Sequence, residues 1–107
     1  MSTIEFDYQD KHYTLEFDRS TAAVAEKRYG ISLNEVLDGK LTYLPPMFAA
    51  AFLKHHPRVP QAKIDEIYDQ MGDKQGLMEG LLGMYAETVM TLMEEPEEGK
   101  AISWSLS

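Results

Sequence analysis

The chain has 107 residues, a net charge of −8, an apolar fraction of 44% and no cysteine. That length suits one small domain with a single core, and the lack of cysteine excludes disulfides and thiolate metal sites. The negative charge argues against nucleic-acid or anionic-membrane partners, which reward Lys and Arg, and no apolar run is long enough to cross a bilayer.

The opening "TIEFDYQDKHYTLEF" alternates, with Ile4, Phe6 and Tyr8 on one face and then Tyr13, Leu15 and Phe17 on one face after a polar break. This predicts a β-hairpin over residues 3–17. A hairpin alone is marginal, so its apolar face needs helices or a further strand. A candidate third strand lies at the other end, where Ile102, Trp104 and Leu106 alternate with Ala101, Ser103 and Ser105.

Between them the pattern turns helical. Residues 19–29 start after capping residues and stop at Gly30, as a left-handed helix terminus does. Residues 32–38 begin with Ser32 and Glu35 at capping-box spacing. Residues 43–56 carry Pro45 and Pro46 in a first turn and an apolar stripe of Leu44, Met47, Phe48, Ala51 and Phe52. Residues 60–71 place Ile64, Ile67, Tyr68 and Met71 at i, i+3, i+4 and i+7. The last helix, over 74–95, ends before Pro96, and a tail spans 96–107. The expected fold is α+β, mainly α: one domain, 1–107, with an N-terminal hairpin packed on four to five helices.

The last helix contains "GLMEGLLGMYAETVMTLM". Each interior glycine costs roughly 1 kcal/mol relative to alanine. At 100° per residue, Gly76, Gly80 and Gly83 fall in one sector together with Glu87, Met90 and Glu94. Opposite lies a broad apolar arc of Leu77, Met78, Leu81, Leu82, Met84, Tyr85, Val89, Leu92 and Met93, so cover on more than one side is expected. Two explanations of the glycine stripe stand side by side: close packing against the Phe48 and Phe52 helix, or the docking of a partner. Met71, Met78, Met84, Met90 and Met93 supply adaptable apolar surface. Met90 shares the glycine sector.

Chemistry-bearing patterns are sparse. Adjacent His55 and His56 point about 100° apart on a helix, a poor arrangement for one metal, and at the end of residues 43–56 they suit the carbonyl end of the dipole. No phosphate loop and no nucleophile elbow is present. The expectation is a binding protein and not an enzyme, with no catalytic residue, cofactor or metal. The candidate partner-binding residues are Gly76, Gly80, Gly83, Glu87 and Met90, with Trp104 and the hairpin edge as a second site.

The hairpin "EFDYQDKHYTLEF", the segment "LPPMFAAAFLKHHPRVPQAKIDEIYDQM" and the ending "MYAETVMTLMEEPEE" followed by a lone tryptophan resemble the tail assembly chaperones of long-tailed phages and prophages of Gram-positive bacteria. The resemblance covers nearly the whole chain. It implies binding and solubilising of the tape measure protein during tail morphogenesis, in the cytoplasm of the bacterial host and without incorporation into the mature virion. It also implies self-association and, as further partners, the tail tube protein and a longer frameshifted form of the chain, with Glu98, Gly99 and Lys100 as the candidate slippery site. The alternatives are a small acidic regulatory or inhibitory protein and a minor structural subunit of the tail.

Overall fold

The computed structural model describes residues 2–106. Strands β1 (Ile4–Tyr8) and β2 (Lys11–Leu15) are followed by α1 (Arg19–Tyr29), α2 (Leu33–Leu37), a 3-10 turn at Leu41–Tyr43, α3 (Leu44–Ala51), α4 (Gln61–Gln70), α5 (Lys74–Met90) and a 3-10 turn at Thr91–Met93. The architecture is α+β and mainly α, as the patterning predicts.

The strands pair antiparallel with Ile4 opposite Leu15, Phe6 opposite Tyr13 and Tyr8 opposite Lys11. Gln9 and Asp10 join them with φ of 50° and 64°. Positive φ at both central residues is the requirement of a type I′ turn, whose twist matches that of the strands. Gln9 is an unfavourable residue there, and the Lys63 ammonium donates to its Oε1 at 2.6 Å, fixing the turn against α4.

At the centre is α3. Met47, Phe48, Ala49, Ala50, Ala51 and the following Phe52 are all buried, on every side of the helix and not along one stripe. A helix apolar all round belongs inside a core. Its alanines are small enough for neighbouring helices to come close, and α1, α4 and α5 all pack on it. Phe48 has its ring centroid 6.5 Å from Phe6, 5.1 Å from Phe52 and 5.5 Å from Tyr68. Each fully buried phenylalanine contributes about 1.5–3 kcal/mol through removal from water.

The hairpin is joined to the end of α3 by backbone donors as well. The Glu16 amide donates to the Ala51 carbonyl at 3.1 Å, and the Thr14 amide donates to His56 Nε2 at 3.0 Å. An accepting Nε2 places the proton of a neutral imidazole on Nδ1. Burial holds His56 below the ordinary histidine value, helped by the charges of Lys11, His55 and His12. On the outer face of the hairpin, His12 lies between Glu5, at 3.0 Å, and Asp7, at 2.7 Å. Those two carboxylates, Glu5 foremost, raise its pKa.

Several boundaries differ from the sequence reading. Residues 43–56 are not one helix: α3 stops at Ala51, and Phe52–His55 form a turn. His55 and His56 therefore serve as side-chain partners, His55 Nε2 donating to Glu16 Oε1 at 2.8 Å, and do not sit at the carbonyl end of α3. Ser32 occupies an N-cap position but makes no side-chain cap bond, and the Glu35 carboxylate is engaged by the Tyr43 hydroxyl and Lys40. The capping box is instead at α1, where Asp18 and Thr21 bond reciprocally. α5 ends at Met90 and not near 95. There the Arg19 guanidinium donates to the Thr91 carbonyl at 2.6 Å, and the Thr91 hydroxyl donates to the Thr88 carbonyl. The sheet has two strands among the described residues, so the C-terminal third strand does not form. Residues 101–106 lie free of the body and exposed. The radius of gyration is accordingly 15.9 Å, against about 13 Å for a compact chain of this length.

The two histidines titrate in opposite directions. His12 keeps its proton above the ordinary value, so its contribution to the fold is full below that value and is lost as pH rises through the raised one. His56 stays neutral below the ordinary value, so its contribution is full above that value and is lost as pH falls through the lowered one. NMR titration of the ring protons checks this, with the His12 midpoint above and the His56 midpoint below that of an unfolded peptide.

Candidate docking surface

Gly76, Gly80, Gly83, Glu87 and Met90 share one side of α5, and the three glycines are there for three different reasons. Asp73 caps the helix from a left-handed conformation, φ 47°, and its Oδ1 accepts the Gly76 amide at 3.1 Å. A Cβ on Gly76 would collide with that carboxylate, so the cap and the glycine come together. At Gly80 the close neighbour is Ile4 Cδ1, 3.4 Å from where a Cβ would be. The first strand crosses the helix here. Gly83 is exposed, and a Cβ on it would meet nothing within 4 Å.

The stripe is thus split: Gly76 is closed by its own cap, Gly80 lies under Ile4 of the hairpin, and Gly83 is open. Packing against the Phe48 and Phe52 helix, one of the two explanations of the stripe, does not occur at these positions, since Ile4 of β1 is the neighbour. Glu87 is exposed and accepts from the Ser2 hydroxyl at 3.2 Å. Met90 is 64% exposed. Trp104, at 80% exposure, is separate from this face and lies in the extended tail.

Beyond Met90 two more apolar residues reach solvent. Leu92 and Met93, which helical periodicity puts in the covered arc, are exposed, because the 3-10 turn at Thr91–Met93 changes the angular step. Met84 is buried, and Met71 and Met78 are half-buried. The open part of the face therefore runs from Gly83 to Met90, flanked by the carboxylates of Glu79 and Glu87, while Leu92 lies toward α1, beside Arg19, Ala22, Ala23 and Val89. It offers apolar contact beside exposed carboxylates.

Two features escape the sequence reading. Leu37 and Leu41 are exposed on α2 and the turn after it, and Leu41 borders a hollow of about 490 Å³ lined by Leu44, Tyr68, Lys74 and Met78. Periodicity gives no hint of this, since the α2 helix is only five residues long. The second is a cleft of about 440 Å³ beside the hairpin tip, lined by Lys11, Tyr13, His55, His56, Arg58 and Lys63 and by no carboxylate. The signal was available in the density of basic residues in "KHHPRVPQAK". Among the described residues, no three His, Asp or Glu side chains are grouped to hold a metal ion, and no helix is long and apolar enough to cross a membrane.

A family model described as a domain of unknown function, DUF5055, matches residues 1–107. The chain belongs to the DUF5055 family. No curated protein and no solved structure matches it. For this DUF5055 chain the meaning of the α5 face therefore rests on geometry and chemistry.

The three glycines should separate on substitution by alanine. Gly83→Ala gains roughly 1 kcal/mol of stability, the helix-propensity difference at an open position. Gly76→Ala forfeits that gain, because the Asp73 cap must move. Chemical denaturation midpoints of the two variants against the parent chain measure the difference.

Proposed function

We propose that the chain is a phage or prophage tail assembly chaperone that binds the tape measure protein and keeps it soluble during tail morphogenesis, without catalysis. The observation that carries this reading is the exposure of Met90, Leu92 and Met93 around the end of α5, on the helix that bares its backbone at Gly83, in a chain of net charge −8. An amphipathic helix docks by laying apolar anchors against such a surface. Methionines accept anchors of varied shape, and Gly83 allows close approach of a second helix. A tape measure is a long series of such helices, so one surface of low selectivity can serve along its length. The surplus of carboxylates keeps a many-copy complex in solution. On this reading the chain acts in the host cytoplasm and leaves before the virion is complete. Self-association, the tail tube protein and a frameshifted longer form are further contacts of the same role.

The exposed acidic run Glu94–Glu98 favours a second reading, an inhibitor that offers carboxylates to a basic partner. Salt separates the two. Exposed charge pairs weaken as ionic strength rises, whereas apolar helix contacts do not.

The test is to express the large protein encoded next to this chain with and without it, and to measure the soluble, co-purifying fraction at low and high salt. The chaperone reading expects solubility that depends on co-expression and a complex that survives high salt. Gly83→Leu, which meets no neighbour in its own fold, is expected to weaken capture by about tenfold or more, the loss of one well-placed contact. Unchanged solubility with no co-purification contradicts the reading, and a complex lost at high salt favours the inhibitor.

A further inference from the structure

The hairpin has one closed edge and one open edge. In an antiparallel pair, alternate residues direct their amide and carbonyl groups away from the partner strand. On β2 these include Thr14 and, just beyond it, Glu16, whose amides donate to His56 Nε2 and to the Ala51 carbonyl. On β1 they are Glu5 and Asp7, opposite Thr14 and His12. Among the described residues their outward backbone groups have no backbone partner. An unpaired edge of this kind is a template for another strand.

The same molecule carries an unpaired segment with strand periodicity. Ile102, Trp104 and Leu106 are 89%, 80% and 92% exposed, while Ala101, Ser103 and Ser105 between them are small. Three large apolar side chains left in water are costly unless something covers them. We infer that residues 101–106 of one copy pair with the open edge of β1 in a second copy, as a third, antiparallel strand.

Periodicity and charge set the geometry. With Ile102 opposite Tyr8, Trp104 opposite Phe6 and Leu106 opposite Ile4, the three large side chains extend the half-buried apolar face of β1, and the small residues fall beside Glu5 and Asp7. Antiparallel pairing carries the preceding run Glu94–Glu98 past the hairpin tip. That is where Lys11, Arg58 and Lys63 line the cleft that has no carboxylate. Parallel pairing would bring the same acids to the other end of β1, near Glu87, where Ser2 approaches it, and like charges there oppose it. The arrangement joins distinct surfaces of two copies, so it closes as a reciprocal pair or propagates as a chain. It holds whether or not a tape measure is the client, and needs no client to be observed.

Light scattering after size exclusion, from micromolar to millimolar chain, tests it. The full chain is expected to rise from its 12.2 kDa monomer mass to a dimer or larger species. Two variants each abolish that rise: Ile102→Ser with Trp104→Ser in the tail, and Glu5→Pro, which removes an amide that β1–β2 pairing does not use. An equimolar mixture of the two, one with an intact edge and the other with an intact tail, is expected to form a species of twice the monomer mass that grows no further. The tail variant lies outside the folded body, and Asp7→Pro replaces Glu5→Pro if the latter unfolds. A full chain that stays monomeric throughout overturns the inference, including a monomer whose own tail is protected from protease. So does association that the tail variant leaves unchanged.

Discussion

Thr14 and Glu16 donate their outward amides to the C-terminal end of α3, one to the ring nitrogen of His56 and one to the Ala51 carbonyl. An amide left without a partner in that half-buried place would cost about 1–3 kcal/mol. The early end of α3 at Ala51 is what frees a carbonyl and turns His56 toward the strand. Fixing β2 in this way places Tyr13 on Phe52 and His56, Phe6 on Phe48, and Ile4 over Gly80. One edge of the hairpin is thereby consumed by the helices, and the other is left to solvent.

The glycines of α5 are a consequence of the same placement. Gly80 has a neighbour only because the first strand crosses the helix there. Gly76 answers to the local geometry of the Asp73 cap. Gly83 has no intramolecular reason to be glycine, and its intrinsic cost to the helix is not offset by any contact of this chain. That leaves it bare for the close approach of the proposed client helix.

Much of the architecture was legible in the sequence, because period-2 and period-3.6 apolar patterns report burial on one face. The hairpin, the start of α1 at Asp18, the stop at Gly30 and the span of α4 follow directly. What failed did so where tertiary contacts override a local pattern. Phe52 to His56 continue the helical composition of α3 but are drawn into a turn by their contacts with β2. Thr91 to Met93 continue the period of α5 but tighten where Arg19 holds the chain. Residues 101–106 show the pattern of a strand without the pairing, since alternation encodes a face to be covered and not the identity of the cover. Of the candidate site residues, Gly83, Glu87 and Met90 lie on the open face, Gly76 and Gly80 serve the monomer, and Trp104 belongs to the tail. The basic cleft was legible in part, in the density of "KHHPRVPQAK", but Lys11 and Tyr13 come from β2, which no short window joins to it.

The one-sided attachment of the hairpin is most directly tested by amide hydrogen exchange in dilute solution. The account requires the Thr14 and Glu16 amides to exchange more slowly than those of Glu5 and Asp7 by about tenfold or more, since only the former must open a bond to α3 or His56. Equal protection on the two strands, or faster exchange at Thr14 and Glu16, would show that α3 does not hold the hairpin by its β2 edge.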